Sequence, residues 1–120
     1  MGDLKGKRAL VCGGTHGIGA AAAEALRERS AAVTILARSA TGTNALACDL
    51  EDIASLTTTI KKEIDANGAF EVLINNSAGP PAGPLLEAAP ADFEKALRRH
   101  LLASHTLVQL LLPGMRKVGY

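Results

Sequence analysis

The chain has 120 residues, 48% of them hydrophobic, and a formal net charge of +1, which is enough apolar material for the core of one globular domain and not for two. Its 13 Lys and Arg are dispersed among 12 Asp and Glu, so neither a nucleic-acid surface nor a basic membrane-binding patch is expected. The longest apolar stretch, residues 101–112, is broken by Ser104, His105 and Gln109 and is too short to span a bilayer; with no apolar signal core ahead of Arg8, a cytoplasmic location is expected.

The first element is a strand over residues 8–12, apolar after Arg8. It runs into a glycine ladder, Gly13-Gly14-Thr15-His16-Gly17-Ile18-Gly19, and then into an alanine-rich helix over residues 18–29. A second strand over residues 32–36 and a third over 45–47 follow, separated by only eight residues. That gap is too short for a crossover helix, which takes roughly 10 to 12 residues, so a plain loop is expected there. A helix over residues 53–66 carries Ile53, Leu56, Ile60 and Ile64 on one stripe, with Gly68 placed to cap its end. A fourth strand over 70–75 closes on Asn75-Asn76-Ser77-Ala78-Gly79. After the rigid loop Gly79-Pro80-Pro81-Ala82-Gly83-Pro84, the last helix covers residues 91–112, starting near Pro90. Strands alternating with helices predict an α/β fold with a doubly wound parallel sheet of Rossmann type, in the order β-α-β-β-α-β-α.

Strand, glycine turn and helix form the layout of a nucleotide-binding crossover. Glycine is demanded where a pyrophosphate must approach bare backbone amides at a helix N-terminus, and an alanine such as Ala22 after the turn lets the helix lie close to the sheet. A lysine-bearing phosphate loop is excluded, because no Gly-Lys-Ser/Thr follows. The spacing Gly13-x-x-x-Gly17-x-Gly19, followed by Asn75-Asn76-Ser77-Ala78-Gly79, resembles the short-chain dehydrogenase/reductase family. Within it, the loop of residues 79–84 and Leu112-Pro113-Gly114-Met115-Arg116 look most like 3-oxoacyl-carrier-protein-reductase-like members.

The resemblance implies a nicotinamide dinucleotide as cofactor. The end of the second strand reads Leu36-Ala37-Arg38-Ser39, with no carboxylate to accept from the ribose 2′-hydroxyl of NAD, whereas Arg38 presents a fork of donors suited to the 2′-phosphate of NADP. NADP(H) is therefore expected. His16 stands where NADP-using relatives often carry a basic residue; the plainer readings are a solvated loop arginine for Arg38 and a loop residue without a charge role for His16. By resemblance, Asp49 accepts from the adenine amino group, Leu50 lines the adenine pocket, Ile18 packs near the nicotinamide, and the Asn76-Ser77-Ala78 backbone borders the adenosine ribose. Gly13, Thr15, His16, Gly17, Ile18, Gly19, Arg38 and Ser39 complete the expected cofactor-binding set. Asn75 is expected to bond between strands. Because Ser77-Ala78 precedes Gly79, either Ala78 fills a glycine position of the family or one residue is inserted.

Family chemistry is hydride transfer between nicotinamide and a carbonyl or alcohol carbon, and it uses a serine and a tyrosine with a lysine four positions later. The one tyrosine here is Tyr120, so no such pair lies in these residues and no catalytic residue is assigned. The expectation is a single NADP(H)-binding domain over residues 1–120, the N-terminal half of a family member, inactive by itself. The alternatives are a non-catalytic NADP(H)-binding module and a subunit completed by another chain. His100 falls at a family asparagine position and is expected to be a helix-packing histidine. His100 and His105 are about 140° apart around a helix, and no metal site is expected. Cys12 and Cys48, about 9 to 10 Å apart across two strand spacings, lie beyond the roughly 7 Å limit for a disulfide and are expected to be free thiols. An open sheet edge and exposed apolar helix residues predict a homo-oligomer.

Overall fold

The computed structural model describes residues 3–77 and 83–120. Strands β1 (Arg8–Cys12), β2 (Ala32–Ala37), β3 (Ala45–Ala47) and β4 (Val72–Ile74) form one parallel sheet in the order β3-β2-β1-β4. The pairings in register are Leu10 with Thr34 and Leu73, and Leu36 with Leu46. Helix α1 (Gly17–Glu28) covers one face, while α2 (Ile53–Asn67) and α4 (Ala103–Val118) cover the other. The expected α/β doubly wound sheet is present.

Alternation along β1 divides the core. Leu10 and Cys12 face a cluster with Leu36, Leu56, Ile60, Phe70, Leu107 and Leu111. Ala9 and Val11 face the α1 side, where Ala23, Val33 and Ile35 pack. The residue of α1 that seats fully against the sheet is Ala23 rather than Ala22, which is only half-buried. The α2 stripe behaves as the periodicity requires, with Leu56 and Ile60 fully buried and Ile53 and Ile64 packed at its ends. Asp52 caps this helix by accepting from the Ser55 N–H at 3.0 Å, and Gly68 at φ +93 ends it.

The loop between β2 and β3 contains no helix. It turns back through an Ala40 N–H bond to the Ala37 carbonyl and through Asn44 in the left-handed region, where asparagine is one of the few non-glycine residues tolerated. Buried Ala40 tucks the loop against the sheet.

Two boundaries differ from the sequence reading. β4 is three residues, not six, because it pairs only with β1, in the span from Ala9 with Val72 to Val11 with Ile74. Phe70 is fully buried under the Arg8 guanidinium, and Asn75 and Asn76 have already left the ladder. The last helix is not one piece over 91–112. α3 (Pro90–Leu97), with Pro90 in its first turn and Asp92 accepting from the Ala89 N–H at 3.0 Å, runs into a π-helical turn (Arg98–Leu102) and then into α4. Pro113 and Gly114, just past the expected end at residue 112, lie inside α4. Proline removes one intrahelical donor, but Pro113 is on the exposed side. The stripe Ala103, Leu107, Leu111 and Met115 continues past it into the core. The helix stops at Gly119, in the left-handed conformation, whose N–H bonds to the Met115 carbonyl at 3.0 Å.

Candidate cofactor-binding site

In an open parallel sheet the ligand crevice lies at the carboxyl ends of the strands where the strand order reverses. Here that point is between β1 and β4, and a cleft of about 480 Å³ opens there. Four segments wall it: Gly13, Thr15, His16 and Gly17 after β1; Leu36, Ala37, Arg38 and Ser39 at the end of β2; Cys48, Asp49 and Leu50 after β3; Asn76 and Ser77 after β4. Arg99, from the π turn, is the remaining wall residue.

The glycine turn is held by its own packing. A Cβ on Gly19 would lie 2.1 Å from the Gly13 carbonyl oxygen, so α1 can start this close to β1 only if position 19 is glycine. Gly17 has open space around it but sits at φ +52, a conformation costly for residues with a Cβ. Its neighbour His16 is the N-terminal boundary residue of α1, with extended backbone and no side-chain cap, so its side chain satisfies none of the first amide groups of the helix.

Arg38 is exposed and makes no hydrogen bond or ion pair among the described residues. Asp49 is fixed on one side: its Oδ1 accepts from the Glu51 N–H at 2.9 Å. Asn76, not Asn75, ties the strands together. Its Nδ2 approaches the Gly13 carbonyl at 3.5 Å and its backbone N–H bonds to Cys12, while Asn75 is exposed. β4 ends before Asn75, so the residue that crosses toward β1 is the next one along. Burial pushes the Cys12 thiol up to about 12 from an ordinary 9.0, opposed by the Asn76 bond and aided by nearby Cys48. Both cysteines are free and buried.

A match to the short chain dehydrogenase family model runs over residues 7–119. The chain belongs to the short-chain dehydrogenase family. It is 32% identical over 126 residues to the 3-oxoacyl-[acyl-carrier-protein] reductase FabG of Vibrio harveyi, a match covering 96% of this chain and 52% of that protein. Among solved structures, a blue fluorescent protein from a metagenomic library, in complex with NADPH, superposes with a TM-score of 0.82 at 26% identity, covering 95% of this chain and 53% of that one. The L-sorbose reductase of Gluconobacter frateurii, complexed with NADPH and L-sorbose, shares the fold with a TM-score of 0.85 at 22% identity, covering 98% and 50%. The chain spans about half the length of the curated relatives it matches. It is thus a member of an oxidoreductase family that binds nicotinamide cofactors.

Most of the expected cofactor set of this family member converges on the cleft. Gly19 is buried behind the turn instead of lining it, and Ile18 is 80% exposed on the first turn of α1, outside the cleft wall. Ala78 and most of the proline-rich loop lie outside the described residues. His100 is not a packing residue: it is exposed, and its Nδ1 lies 2.9 Å from the Ser77 Oγ. The π turn alters the helical phase after Leu97 and carries Arg99 and His100 toward the loops at the strand ends. Arg99 has no local sequence signal; its partner Glu51 is 48 residues away. Among the described residues there is no cluster of metal-ligating side chains, and no helix is long and apolar enough to cross a membrane.

Proposed function

We propose that this chain is the NADP(H)-binding part of a short-chain dehydrogenase/reductase that moves hydride between the nicotinamide and a small carbonyl or alcohol substrate. The observation that carries the cofactor choice is Arg38, which lines the cleft at the end of β2, has no hydrogen bond or ion pair among the described residues, and belongs to a strand end, Leu36-Ala37-Arg38-Ser39, that contains no carboxylate. A 2′-phosphate there gains a charge-assisted, two-pronged partner, while the 2′-hydroxyl of NAD finds no acidic acceptor. The helix α1 amides face the pyrophosphate, Asp49 accepts from the adenine amino group beside Leu50, and Asn76 and Ser77 border the ribose. NADPH in the complexes of the two superposed proteins supports the same cofactor class.

The tyrosine and lysine that serve the family's proton transfer do not occur as a pair in these 120 residues. Titrating NADPH and NADH against the chain and its Arg38→Asp variant tests the cofactor assignment. A charged hydrogen bond contributes about 1.5 to 3 kcal/mol, so NADPH should bind at least roughly tenfold better than NADH, and the variant should abolish or invert that ratio. Equal affinities in the unaltered chain would overturn it.

A further inference from the structure

The segment that carries Asp49 is a tight turn whose internal bonds are short-range. Glu51 donates its N–H to the Asp49 Oδ1 at 2.9 Å, and the Asp52 N–H bonds to the Asp49 carbonyl at 3.1 Å. The other Asp49 carboxylate oxygen has no partner among the described residues, and Asp49 lines the cleft. The turn's side-chain tie to the opposite wall is Arg99. Its Nε and one terminal nitrogen both donate to the Glu51 Oε2, at 3.2 and 2.9 Å, with the two side chains only 21% and 20% exposed. An exposed ion pair between mobile side chains has little effect; this one is sheltered, and the Arg99 fork is bound through two nitrogens. Glu51 therefore joins two contacts: its side chain is held by Arg99 while its backbone amide holds one oxygen of Asp49.

We infer that Arg99 is a positioning residue, which by fixing Glu51 orients the free oxygen of Asp49 toward the base of the cofactor and makes the chain selective for adenine over hypoxanthine. A carboxylate is an acceptor only; the 6-amino group of adenine is a donor, and the 6-oxo group of hypoxanthine is another acceptor. The inference rests on the cofactor reading above, and on Asp49 facing the base.

The test measures the affinity of the full chain for NADPH and for its hypoxanthine analogue, and reads their ratio, which a loss of folded protein leaves unchanged. The unaltered chain should prefer NADPH by about tenfold or more. Arg99→Met, which keeps the aliphatic stem, and Glu51→Gln should each reduce the ratio to below about threefold. The double variant Glu51→Arg with Arg99→Glu should restore it, because the swapped pair holds the same backbone amide. Selectivity retained in Arg99→Met would overturn the positioning role and leave the Asp49 reading intact. Loss in Arg99→Met without rescue by the swap would also overturn it, in favour of direct contact between Arg99 and cofactor. Equal binding of both dinucleotides by the unaltered chain would overturn the Asp49 reading and the inference with it; binding of neither would overturn the proposed function.

Discussion

Single atoms decide whether the β1–α1 turn can exist. A methyl group at position 19 would sit 2.1 Å from the Gly13 carbonyl, and backbone cannot yield as a flexible side-chain end can. Gly19→Ala should destabilise the chain by about 1 to 3 kcal/mol and weaken dinucleotide binding; urea unfolding and an NADPH titration would show both. Cys12 gives a pH signature. Its folded pKa, about 12, stands above the 9.0 of an exposed thiol, so the folded state holds that proton more tightly. This contribution is intact below pH 9 and is lost as pH rises from 9 toward 12, at up to about 1.4 kcal/mol per pH unit. Cys12→Ala should flatten this part of the curve of unfolding free energy against pH, and an unchanged slope would refute the assignment.

At the scale of elements, caps and stripes matter more than intrinsic helix preference. α2 has a polar outer face, begins at Asp52, whose side chain satisfies the Ser55 amide, and buries Leu56 and Ile60 beside α4. Asp52→Ala should lower stability by about 1 kcal/mol, and Asp52→Asn by much less, since both oxygen-bearing caps accept from the same amide. Denaturant midpoints at unchanged slope would measure the difference. α4 shows a stripe overriding a breaker: four core-facing residues spaced by one turn carry the helix through Pro113, whose missing donor falls on the wet side. The π turn before it changes which side chains reach the cleft, and that change brings Arg99 to Glu51 and His100 to Ser77.

For the whole molecule, the order β3-β2-β1-β4 leaves β4 as an edge strand, hydrogen-bonded among the described residues only to β1. Leu101, Leu102 and Val108 are 59%, 44% and 42% exposed. An unpaired edge is a template for another strand, and contiguous apolar surface favours association. The chain should form dimers or larger species at tens of micromolar by light scattering, and Leu101→Arg should shift the distribution toward monomer. A cooperative monomer in the unaltered chain at that concentration would count against this expectation.

The alternation of strands and helices, the glycine turn, the α2 stripe and the basic end of β2 are legible in the sequence because each is set by neighbours within a few residues: side-chain period, backbone sterics or a local turn. The parallel sheet and the cleft at its carboxyl ends follow from those elements, since connection rules permit few arrangements. What tertiary structure alone decided depends on partners far along the chain. β4 is as long as its pairing with β1 allows; Asn76 rather than Asn75 bridges, because the strand ends one residue earlier. Pro113 lies within a helix because a core waits beyond it. Arg99 and His100 became cleft and loop contacts because a widened turn re-aimed them toward residues 48 and 23 positions away, and no local pattern encodes the phase of a helix at its π turn.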